Sequence, residues 1–125
     1  MEGALLAAVA LWYHGHRPLL MDLTAASPDE DHVVALFKID GYWGAISKTN
    51  HAVLRYREPI YKTQRELVLS YFHEYFLHNG RKTLRTYSKP FDLAKYAKLH
   101  WMTEREGLLD LIDLMARSPH LPIIS

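Results

Sequence analysis

Two histidines and a glutamate, His73, Glu74 and His78, are the most metal-like set in this chain of 125 residues. A zinc-binding helix needs its histidines at i and i+4, one turn apart on one face. Here they are five residues apart, about 140° round a helix. The spacing points away from a metal. It fits an amphipathic helix whose Leu67, Leu69, Tyr71, Phe72, Tyr75 and Phe76 pack or line a groove. Thiol chemistry is closed to these residues, because the sequence holds no cysteine. That also excludes disulfides and thiolate metal sites. The six glycines are dispersed, so no loop cradles phosphate, and there is no Gly-x-Ser-x-Gly elbow. No residue set calls for a cofactor.

Arg55, Arg57, Lys62 and Arg65 form one basic cluster; Arg81, Lys82, Arg85 and Lys89 form another, with Tyr87 between. A nucleic-acid face wants such charges beside exposed aromatics. The balance of 15 Lys and Arg against 14 Asp and Glu is nearly neutral, so no nucleic-acid partner is expected. Solvated loop charge is the plainer reading. A narrower one gives a single Arg a substrate carboxylate to bind. Trp12, Trp43 and Trp101 read as core or groove-wall residues rather than cofactor stackers.

Several elements must position these groups. Residues 2–14 are rich in Ala and Leu, the best helix formers. Apolar residues lie nearly all round, which predicts a buried helix, with Gly15 as its stop. Residues 18–25 and 32–39 read as strands. Asp40-Gly41 is the dipeptide that a tight hairpin prefers, and residues 42–47 form the return strand. A further strand is expected at 52–56. Thr63 to Glu66 is a capping box that opens a helix running to about Leu77. Residues 84–88 suggest a short strand, and 90–102 a loop with one or two helical turns. Thr103 to Glu106 is a second capping box, opening a helix to about Arg117 with Leu108, Leu111, Ile112 and Met115 on one face. Residues 121–124 suggest a last strand. The order predicts one α+β domain over residues 1–125, with a buried N-terminal helix on a mainly antiparallel sheet and further helices after it. The longest apolar run, Ala4 to Tyr13, is short of the roughly 20 residues that span a bilayer. The opening Met1-Glu2 lacks the basic start of a signal peptide. A soluble, cytoplasmic protein is expected, with no membrane partner.

The buried first helix, the strand His32-Val33-Val34-Ala35-Leu36-Phe37, the hairpin Asp40-Gly41-Tyr42-Trp43 and the return strand Trp43-Gly44-Ala45-Ile46-Ser47 come in an informative order. Together they resemble a transglutaminase-like domain of the papain-like cysteine proteinase superfamily. The segment from Gly44 to Arg57 is similar to bacterial proteins of that superfamily. The resemblance covers roughly residues 2–58. It implies a nucleophilic cysteine at the start of the first helix, His32 as the base, and an orienting group on the next strand. Ser47 stands at that acid position, with Asn50 nearby. The implied chemistry is thiol-dependent amide hydrolysis or acyl transfer on a peptide or protein substrate.

Such a site works because a helix N-terminus and an adjacent imidazole favour the thiolate. The imidazole then shuttles the proton, and a third polar group fixes its tautomer. A hydroxyl such as Ser47 or an amide such as Asn50 can orient the ring but brings no charge. The cysteine would fall at or just before Met1, and no Ser or Thr opens the helix in its place. Two expectations follow. Either the native domain starts upstream with a cysteine, or the chain is a pseudoenzyme that keeps the fold for binding. His32 then has a plainer alternative, as a solvent-facing histidine at a strand end. A helix started abruptly would also leave apolar surface uncovered, from which self-association is expected.

Overall fold

A computed structural model describes residues 2–27, 31–46, 56–77, 79–99 and 105–123. The chain is an α+β protein. Among the described residues it has three α-helices, α1 (Glu2–Tyr13), α2 (Gln64–Phe72) and α3 (Arg105–Arg117). The strands are β1 (Leu19–Ala25), β2 (His32–Ile39), β3 (Tyr42–Ile46), β4 (Tyr56–Tyr61), β5 (Leu84–Ser88), β6 (Phe91–Asp92) and β7 (His120–Pro122). They form one antiparallel sheet in the order β4-β3-β2-β1-β5-β7, with β6 also paired to β1. Strands β5 and β6 lie along the same edge of β1, interrupted at Pro90, which has no N–H to donate to the ladder. No helix among the described residues is long and apolar enough to cross a membrane.

The two sheet faces carry separate cores. Met21, Leu23, Val34 and Leu36 point to one face and pack with Leu67, Val68 and Tyr71 of α2 and with Tyr75. Leu20 and Ala35 point to the other, against Ala4 and Ala8 of α1 and Leu111 and Met115 of α3. Three layers result: α2, the sheet, then α1 with α3. The alternation follows from the two-residue period of a strand.

The β2–β3 hairpin closes as its dipeptide predicts. Ile39 pairs with Tyr42, and Asp40 and Gly41 both have positive φ, at 52° and 86°. That is the backbone a two-residue turn demands. The cap of α2 is also as expected: the Thr63 hydroxyl accepts from the Glu66 N–H at 3.0 Å. The Glu66 carboxylate accepts from the Lys62 N–H rather than from the cap residue itself.

Two expectations need correction. α1 is not buried all round. Ala4 and Ala8 are buried in the core on the sheet and Leu5, Val9 and Leu11 partly so, while Leu6 is 70% exposed and Tyr13 87%, because a helix lying on a sheet covers only one of its sides. α2 ends at Phe72, not near Leu77. Beyond it the Thr83 N–H donates to the Tyr75 carbonyl and the Leu77 N–H to that of Arg81; these pairings to the returning chain replace helical ones. The strand expected at 52–56 lies mostly outside the described residues. The strand seen there, β4, runs from Tyr56 to Tyr61 and holds Pro59, which an edge strand tolerates.

Candidate functional site

His32 opens β2 and pairs across the ladder with Leu23. Its ring meets Tyr75 edge-on, with centroids 5.0 Å apart. Leu23, Val34 and Tyr75 all belong to the α2-side core. The imidazole therefore lies on the α2 face, whereas α1 packs on the opposite face through Ala4 and Ala8. The sheet separates the expected base from the helix expected to bring the nucleophile. Ser47 and Asn50, the expected orienting groups, lie outside the described residues. So do Arg55, Trp101, Thr103 and His78. His73 is the C-cap of α2, so the helix does not continue toward position 78. Among the described residues no group of three or more His, Asp or Glu is arranged to hold a metal ion.

The basic clusters are largely occupied by the fold. Arg57 is buried, pairs with Glu74, and donates to the Ser70 hydroxyl at 2.9 Å and to the Ser70 carbonyl at 3.3 Å. Its guanidinium lies over the Tyr71 ring, 4.1 Å from the centroid. Arg65 donates to the carbonyls of Pro122 and Ile123, tying α2 to the end of β7. Arg85 donates to the carbonyls of Leu84 and Lys82. Tyr87, between the second set of charges in sequence, is buried in the core.

Tyr71 is the unsatisfied member of this region. Its side chain is fully buried, and its hydroxyl has no hydrogen-bond partner among the described residues. Burial pushes the phenol above its usual range, against the opposing pull of Arg57. A buried hydroxyl without a partner loses water and gains nothing in return. Tyr71→Phe is therefore expected to leave stability unchanged or raise it by up to about 1 kcal/mol. A urea midpoint lowered by the substitution would show that the hydroxyl is satisfied after all.

Sequence reasoning missed a second polar site on the α1/α3 face. Asp22 sits in the central strand β1 and His120 in β7, with β5 between them. The His120 Nε2 lies 3.0 Å from Asp22 Oδ2, and its Nδ1 lies 2.7 Å from the Ser118 carbonyl oxygen. The Ser88 hydroxyl accepts from the Asp22 backbone N–H at 2.9 Å. A carbonyl can only accept, so Nδ1 carries a proton. Nε2 then either donates to a carboxylate as imidazolium or accepts from a protonated Asp22. Burial raises the Asp22 carboxyl; the hydrogen bond and the charge of His120 oppose that rise, and Asp31 adds to it.

This trio has the composition of a hydrolase triad without its connectivity. Both imidazole nitrogens are committed, one to Asp22 and one to a backbone carbonyl, so neither is left to take a proton from Ser88. Ser88 is itself fully buried. The arrangement ties the terminal strand to the centre of the sheet. A hint lay in the sequence, an aspartate within the apolar run Leu19-Leu20-Met21-Asp22-Leu23, but nothing there pointed to a partner almost one hundred positions away. In comparisons with known proteins, no family model and no curated protein matches the chain.

Proposed function

We propose that this chain is a transglutaminase-like domain that serves as a binding or interaction module and not as a thiol enzyme. The observation that carries the reading is the position of His32. Its ring packs on Tyr75 across the sheet from α1, and the chain offers no thiol for it to activate. The order of a sheet-packed helix, a histidine-bearing strand and a tight hairpin is that of the resemblance, while the facing of His32 away from α1 departs from it. The ligand class suggested by that resemblance is a peptide or protein, and the setting a bacterial cytoplasm. The exposed Leu6 and Tyr13 of α1 favour self-association as one mode of interaction.

A restored thiol tests the reading. Met1→Cys, produced behind a cleavable leader, would be treated with a thiol-reactive acyl analogue. A positioned base speeds such a reaction by about 10²-fold or more. The expected result is labelling no faster than in the Met1→Cys/His32→Ala protein. Fast labelling that His32→Ala abolishes would overturn the proposal and establish thiol-dependent acyl transfer or amide hydrolysis, with the nucleophile supplied ahead of α1.

A further inference from the structure

Two cavities, of about 300 and 340 Å³, open at the end of the sheet away from His32. Arg17, Leu19 and Trp43 line both, so they are adjoining parts of one groove. The first continues to Asp92, Lys95 and Tyr96, the second to Phe37 and Lys38. Each is at the lower end of the size of small-molecule sites.

The lining has a definite chemistry. Three cations, Arg17, Lys38 and Lys95, face one carboxylate, Asp92. Asp92 is already engaged. One of its oxygens takes Arg17 at 2.8 Å and the other accepts the Ala94 N–H at 3.0 Å. Arg17 is anchored by that bond yet 68% exposed. The bond uses one of the guanidinium's five N–H groups. Lys38 holds its ammonium 5.2 Å from the centre of the Trp43 ring. Tyr96 is stacked on Phe91 with centroids 4.5 Å apart. Fixed flat walls and an excess of cations suit an anion attached to a flat apolar body.

The geometry points to a binding site for a small planar organic carboxylate, its carboxylate on Arg17 and Lys38 and its ring against Trp43. The anchored guanidinium offers the paired N–H groups that a carboxylate accepts bidentately. An aromatic wall rewards a ring over an aliphatic chain. The site needs nothing from His32 or from a thiol, so it stands or falls apart from the enzyme question.

Phenylacetate, with phenylacetamide, acetate and tetraglutamate as comparators, tests this by titration of the ¹⁵N-labelled full chain. Phenylacetate is expected to shift the amide resonances of Arg17, Lys38 and Trp43. It should bind about tenfold more tightly than phenylacetamide, the worth of one charge-assisted hydrogen bond. Arg17→Gln should remove most of that preference. Because Arg17 also holds Asp92, Lys38→Gln gives a second reading with that contact intact. Equal binding of acid and amide, shifts confined to other surfaces, or no shift with any probe would overturn the site. Tetraglutamate binding there more tightly than phenylacetate would also overturn it, in favour of an acidic peptide groove.

Discussion

His120→Ala is expected to destabilise the fold by about 3 kcal/mol at neutral pH, the cost of leaving a buried charge without its partner. Asp22 is buried at the centre of the sheet. Its carboxyl is already raised by burial, and His120 supplies the contacts that oppose the rise. A carboxyl whose folded pKa is raised binds its proton more tightly in the folded state than in the unfolded chain. Its contribution is most favourable below the unfolded value, near 4, and is lost as pH rises through the folded value. Removing His120 lifts the folded value further, so the deficit against the unsubstituted protein should be small at about pH 4 and large at about pH 7. Adding Asp22→Asn removes the charge and should recover part of the loss at neutral pH. Chemical unfolding at the two pH values measures this. A deficit equal at both would mean that His120 matters for packing alone.

Gly44→Ala is expected to cost about 3 kcal/mol, the upper range for overpacking a closed site. Gly44 pairs with Phe37 across the β2–β3 ladder, and the phenyl ring lies over the space where a side chain would stand. An added Cβ would come within 2.5 Å of the Phe37 Cζ and 2.7 Å of the Arg57 carbonyl oxygen. The ring is buried, although it also borders the groove beside Lys38. The carbonyl is backbone in the neighbouring edge strand, so relief there means parting β3 from β4. Phe37→Leu combined with Gly44→Ala removes the first conflict but not the second, and should recover only part of the stability. Urea midpoints of the single and double variants decide the matter; a single variant as stable as the parent would show that the strands move apart freely.

The features legible in the sequence are those fixed by neighbours. The Asp40-Gly41 turn, the Thr63 cap and the stripe of Leu111 and Met115 on α3 each depend on residues a few positions apart. The α+β class follows from their order. The end of α2 was not legible, because Tyr75 and Leu77 continue a helical pattern of apolar residues yet bond to Thr83 and Arg81. The facing of His32 was not legible for a related reason. A strand's alternation defines two faces, but which face α1 covers depends on the register of β2 against β1. The Asp22–His120 pair rests on β7 adding to the far side of β5, an event with no local signature. Ser47 and Asn50 lie outside the described residues.

The central place of β1 sets an order of assembly. Its partner β2 follows within a short connection, but the partner on its other side, β5, is about sixty positions further on. Until β5 is made, one edge of the most deeply buried strand has nothing to pair with. The β1–β2–β3 meander can form early, from contacts close in sequence, whereas closure on β5, β6 and β7 must draw distant parts of the chain together. On a ribosome, the first half of this protein would emerge with a bare apolar edge and would need either a rapid finish or a chaperone's protection against joining its neighbours.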